Sequence, residues 1–136
     1  MDLFLLGTLW TDLEGARIWR TGGSANEERG GEAFESADRK FVYYSRFDTR
    51  TYSDHIWKMP VEGAEEIQVF DEPIQMRQWA LAENGIYFIP RKEIHRPLLK
   101  FFSFDTSRII PIARLEKDSI NGPYSGLAVS PDGRWL

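Results

Sequence analysis

"GLAVSPDGRWL", Gly126 to Leu136, sets a tight polar turn between two apolar runs, and the same pattern stands at two earlier places. These are "AFESADRKFVYYS" (Ala33 to Ser45) and "WALAENGIYFI" (Trp79 to Ile89). Aligned on Asp38, Asn84 and Asp132, the copies are separated by steps of 46 residues (38 to 84) and 48 residues (84 to 132). A near-constant period in this range fits one four-stranded propeller blade per repeat. The three aligned polar residues read as turn formers, because short polar side chains bond their own backbone and tolerate left-handed conformations.

A second pattern recurs out of phase with the first. "ARIWRTGG" (Ala16 to Gly23) and "HIWKMPVEG" (His55 to Gly63) each put an aromatic-basic strand before a Gly-containing turn, with Trp19 and Trp57 38 positions apart (19 to 57). "LLKFFSFDTSR" (Leu98 to Arg108) fills the same slot next, its Asp105 placed to close an Asx turn. Fourth strands are expected at "EEIQVF" (Glu65 to Phe70) and "IIPIARL" (Ile109 to Leu115). Runs such as "FVYY" and "KFFSF" are apolar on both faces, as stacked sheets require. "SANEERGGEAF" is the one weakly helical stretch, and its two glycines cut it short.

The predicted fold is therefore all-β: antiparallel four-stranded blades of a β-propeller, incomplete, with about three blades' length. Residues 1–30 form the end of one blade, 31–75 and 76–120 two fuller blades, and 121–136 the start of the next. On this phasing neither end of the chain falls at a natural domain boundary. The link from Trp19 to Asp38 is shorter than that from Trp57 to Asn84, so the first boundary is expected to lack its fourth strand.

Composition narrows the function classes. The chain has 136 residues, 42% hydrophobic and 28% charged, which fits a folded domain with its own core. A net charge of −4 argues against a nucleic-acid surface, which needs clustered cations. Without cysteine there is no disulfide or thiolate chemistry, and cytosol and periplasm are equally compatible. "MDLFLLGTLW" has no basic leader region and is too short to span a membrane, so it reads as a strand and directs no export.

The segments "FESADRKFVYYSR", "IWKMPVEG", "WALAENGIYFI", "KFFSFDT" and "GLAVSPDGRWL" resemble the TolB-like, WD-repeat-like β-propeller repeats, which carry an S-P-D-G-K/R turn. The likeness runs from about Gly30 to Leu136, and is greatest to the propeller half of bacterial proteins that begin with a winged-helix, transcription-regulator-type domain. It implies a binding or scaffold role and a fragment of a larger sensory or regulatory protein. Regulation of DNA would belong to such a parent chain. The first copy departs from the pattern, with Ala37 for proline and Arg39 where glycine would take positive φ at low cost. "AENG" keeps only the Asn-Gly hairpin signal.

No G-x-S-x-G, P-loop, G-x-G-x-x-G or H-E-x-x-H motif occurs, so the chain is expected to be non-enzymatic, without cofactor or metal. The propeller part of a prolyl oligopeptidase-type hydrolase, gating a catalytic domain outside this sequence, is the alternative. His55 and His95 both sit before an expected third strand, and ligand spacing gives zinc no support. Adjacent carboxylates such as Glu65/Glu66 and Asp71/Glu72 point to opposite faces of a strand and cannot flank one glycosidic bond. Two loops joining second to third strands, "SRFDTRTYSDH" (Ser45 to His55) and "PRKEIHRP" (Pro90 to Pro97), share one face in a propeller. They offer Arg46, Arg50, Tyr52, His55, Arg91, Lys92, His95 and Arg96 to an anionic ligand or acidic peptide segment. Ordinary solubilising loops are the bland alternative. Expected partners are a protein or peptide, missing blades, or a second copy.

Overall fold

The computed structural model describes residues 8–13, 16–21, 30–63, 65–93, 96–116 and 126–136. They form two compact units, Met1–Asp71 and Glu72–Leu136. Both are open antiparallel β-structures, and a single 3-10 turn at Arg91–Glu93 is the one helical element among the described residues.

The first unit is a meander of β1 (Thr8–Leu13), β2 (Ala16–Thr21), β3 (Gly30–Glu35), β4 (Phe41–Asp48), β5 (Ser53–Pro60) and a short β6 (Ile67–Gln68). Each strand pairs antiparallel with the next. The expected opening strand is β1, though residues 1–7 lie outside the described set. Gly30–Phe34, the described end of the weakly helical stretch, is strand instead, where Ala33 and Phe34 pair with Tyr44 and Tyr43. Pairing with β4 overrides a helical tendency already weakened by two glycines. The fourth strand expected over Glu65 to Phe70 contracts to Ile67–Gln68.

The β3–β4 turn shows why its residues are there. Ser36 Oγ donates to Asp38 Oδ1 at 2.6 Å, and Asp38 Oδ1 accepts the Lys40 amide at 3.0 Å. Ser36 Oγ accepts the Phe41 amide at 3.1 Å. At the far repeat Ser130 and Asp132 do the same, at 2.6 Å to each other, 3.1 Å from the Arg134 amide and 3.0 Å from the Trp135 amide. The backbone bonds match too, Arg39 N to Ser36 O beside Gly133 N to Ser130 O, both 2.8 Å. Arg39 and Gly133 take φ of 59° and 69°, so arginine occupies the left-handed position that glycine fills in the third copy. Among the described residues no strand flanks the Ser130–Asp132 turn, so the two strands expected in "GLAVSPDGRWL" do not form there.

The second unit runs β7 (Ile74–Ala82), β8 (Gly85–Pro90), β9 (Leu98–Ser103) and β10 (Ile109–Arg114), again an antiparallel meander. Ile74, Trp79, Ile86, Phe88 and Ile89 are fully buried, and Trp79 faces Phe88 across the β7–β8 ladder. β10 carries Pro111 at a bulge, beyond which no described strand pairs. The β9–β10 turn is closed through Ser103, whose carbonyl accepts the Ser107 amide at 2.9 Å, rather than by the Asp105 carboxylate. Ser107 supplies the positive φ there, at 54°.

Glu83 and Asn84 make the two-residue β7–β8 hairpin, and Gly85 is already paired with Ala82. This glycine does not serve a left-handed turn. A Cβ on Gly85 would run into the Phe102 carbonyl oxygen and the Phe101 ring, which lies across it and 4.7 Å from the Tyr87 ring.

Two substitutions separate these two uses of glycine. Arg39→Gly relieves a left-handed non-glycine residue and is expected to raise unfolding free energy by about 0.5–1 kcal/mol. Gly85→Ala forces Phe101 and the β9 backbone apart and is expected to lower it by about 1–3 kcal/mol. Urea denaturation of both variants checks the opposite signs.

Candidate functional site

The eight paired positions of β4 and β5 assign side chains to faces. Tyr44 stands opposite Trp57 and Arg46 opposite His55, while Trp57 is in turn opposite Gln68 of β6. Because side chains alternate, Val42, Tyr44, Arg46, His55, Trp57, Met59 and Gln68 share one face. That face is apolar at one end, where Ala33, Val42 and Met59 cluster with Tyr44 and Val61 against them. At the other end it becomes a polar cleft of about 490 Å³, lined by Arg46, Phe47, Asp48, Thr49, Arg50, His55, Trp57 and Gln68.

Arg46 is the most heavily engaged group of the cleft. Its guanidinium lies over the Trp57 ring at 4.5 Å, forms an ion pair with Glu66, and donates to Tyr44 Oη at 3.5 Å. Burial, then the Glu66 hydrogen bond and charge, raise the Tyr44 phenol far above its ordinary value against the opposing pull of Arg46. Burial also pushes Glu66 up, but hydrogen bonds from Tyr44 and Arg46 with the Arg46 charge outweigh it and hold the carboxyl below its usual range.

His55 is fixed from the other side. Gln68 Nε2 donates to the Phe70 carbonyl at 3.1 Å and lies 3.3 Å from His55 Nδ1. An amide nitrogen only donates, so the tautomer that suits this contact accepts at Nδ1 and carries its ring hydrogen on Nε2. Asp48 at the rim accepts the Arg50 amide at 2.8 Å, the first cause of its lowered pKa, and lies 3.5 Å from Arg50 Nε. The Arg50 side chain is otherwise out in solvent, 89% exposed.

The eight residues expected to form a binding face divide between the units. In the first, the loop proper is only residues 49–52, with Arg50 and Tyr52 on it. Arg46 belongs to β4, and His55 lies inside β5 rather than before it, because the ladder continues out to the Asp48–Ser53 pair. Tyr52, 71% exposed at φ 51°, packs edge-on against Phe47 at 5.9 Å. In the second unit Arg91 donates to Gln75 Oε1 at 3.2 Å, Lys92 is exposed, and the Arg96 carbonyl accepts from Arg114 at 2.8 Å. His95 lies outside the described residues.

Sequence reading singled out neither Gln68 nor Glu66 nor Asp48 for the site, and used Trp57 only to mark a repeat. Alternation along the β4–β5 hairpin is signal enough to find Tyr44 and Trp57. Gln68 and Glu66 arrive by the return of β6, which no local pattern announces. Glu65 and Asp71 are exposed beside partnered Glu66 and Glu72, the latter 2.7 Å from Lys100 Nζ. Among the described residues no group of three or more His, Cys, Asp or Glu gathers to hold a metal ion. No helix among them is long and apolar enough to cross a membrane. No protein-family model, curated protein or solved structure matches this chain.

Removing the Glu66 charge tests the Tyr44–Arg46–Glu66 group. In Glu66→Gln the Tyr44 phenol is expected to ionise at lower pH than in the parent chain while staying raised by burial. Ultraviolet titration of the parent chain and the variant, each with and without Tyr44→Phe, reads the shift.

Proposed function

We propose that the chain is a non-catalytic binding module built from TolB-like β-propeller repeats, which takes a peptide or protein segment through the cleft at the end of β4, β5 and β6. The observation that carries the binding role is the convergence of Arg46, His55, Trp57 and Gln68 from three strands onto one concave site. The state of His55 favours binding over chemistry. In a Ser-His-Asp triad the catalytic base gives its Nδ1 hydrogen to a carboxylate, whereas the group 3.3 Å from His55 Nδ1 is the Gln68 amide nitrogen. The repeat reading draws support from the two matching Ser-x-Asp turns and from the succession of four strands in β3–β6 and again in β7–β10. On this reading residues 31–75 and 76–120 are successive blades.

The test is an array of immobilised peptides probed with the labelled chain and with Thr49→Trp. Thr49 is an exposed rim residue, so an indole there blocks the cleft without disturbing the core. A defined subset of peptides is expected to be retained, with retention falling about tenfold in the variant, the equivalent of about 1.4 kcal/mol. Retention of no peptide, or equal retention by both proteins, overturns the proposal.

A further inference from the structure

We infer that the cleft is a subsite for a neutral carboxamide, the side chain of glutamine or asparagine in a bound peptide, with His55 as its donor and Gln68 as the residue that sets the donor. This rests on the binding-module reading above and names the chemistry it would recognise.

Charge is the first consideration. Two arginines line the cleft, but Arg46 is paired with Glu66 and Arg50 with Asp48, so two cations meet two carboxylates. An entering carboxylate would meet the Asp48 carboxylate beside solvent-exposed Arg50, and a surface ion pair of that kind gains it little. A neutral polar group faces no such opposition.

Hydrogen-bonding capacity is the second. Once Gln68 Nε2 has met Phe70 O and His55 Nδ1, what remains is the Nε2–H of His55, a donor, and Oε1 of Gln68, an acceptor. A carboxamide needs the complement, since its carbonyl accepts and its amino group donates. Half-buried Trp57, with the Arg46 guanidinium stacked on its ring, gives a planar amide a flat wall. Selectivity of this sort is strong because the wrong ligand leaves a site donor or acceptor unmatched.

Gln68 acts through His55, and its role has a spectroscopic signature. Gln68→Glu replaces the amide donor by a carboxylate acceptor, which draws the imidazole hydrogen to Nδ1 and turns Nε2 from donor into acceptor. The experiment titrates the whole chain with Ac-Gly-Gln-Gly-NH2 and Ac-Gly-Glu-Gly-NH2, following the His55 ring by nitrogen-15 NMR. The expected result is a hydrogen on Nε2 in the parent chain and about tenfold tighter binding of the glutamine peptide. That preference should not change between about 0.05 and 0.5 M salt. In Gln68→Glu the hydrogen moves to Nδ1 and the preference disappears, with the β-sheet circular dichroism retained. Equal or tighter binding of the glutamate peptide, weakening with salt, overturns the inference in favour of an anion subsite on Arg50 and leaves the binding-module reading standing. A His55 ring that responds to neither peptide overturns the carboxamide subsite, while the peptide array with Thr49→Trp decides the broader reading by itself.

Discussion

The register between β4 and β5 is the constraint on which the first unit depends. Eight consecutive pairs run from Phe41–Pro60 to Asp48–Ser53 without a bulge. Both ends are pinned: the Val61 amide donates to Lys40 O at 2.9 Å, and Asp48 accepts the Arg50 amide in the connecting loop. A slip of one residue would send every side chain to the opposite face. Arg46 would leave His55, Tyr44 would leave Trp57, and the apolar cluster of Val42 and Met59 would face the wrong side. The core and the cleft are thus two ends of one face, held by one ladder.

The Ser-x-Asp turns show how a short sequence reverses the chain, at Asp38 between two paired strands. Serine and aspartate side chains together satisfy two backbone amides and one another, so the chain reverses without orphaned donors. The serine hydroxyl, foremost among the causes, holds the carboxyls of Asp38 and Asp132 below the ordinary aspartate value. With the folded value lowered, this stabilisation is present above the pKa of the unfolded chain and fades as pH falls through the folded one. The turns favour neutral over acid conditions for that reason, not through any long-range field.

Partnered charges give the cleft its character. A cluster of arginines reads as an anion site while each is counted alone. Once Glu66 and Asp48 are counted with Arg46 and Arg50, the two cations are matched by two carboxylates, and His55 and the Gln68 amide are the polar groups left over. Stacking on Trp57 likewise makes Arg46 part of the wall. On the carboxamide proposal, such a site selects by hydrogen-bond pattern more than by charge.

All-β structure, the positions of the hairpin turns and most strand limits follow from the sequence, because alternation, β-branched and aromatic runs and turn residues are local signals. The left-handed residue at Arg39 was equally plain, from comparison of "SADRK" with "SPDGR". Other features were not local. Asn-Gly at 84–85 looks like a turn pair, but Gly85 is required by Phe101 and Phe102 from another strand. Asp105 looks like a turn closer, yet Ser103 does that work. By itself the sequence determined the strands from β1 to β5 and β7 to β10, their reversals and a candidate set of cationic and aromatic residues, since those depend on neighbours along the chain, while the strands expected in Gly126–Leu136 do not form. Only the tertiary structure decided which of them meet. The register carries Arg46 to His55, and the return of β6 delivers Glu66 to Arg46 and Gln68 to His55, contacts between segments whose separation in sequence gives no hint of their proximity.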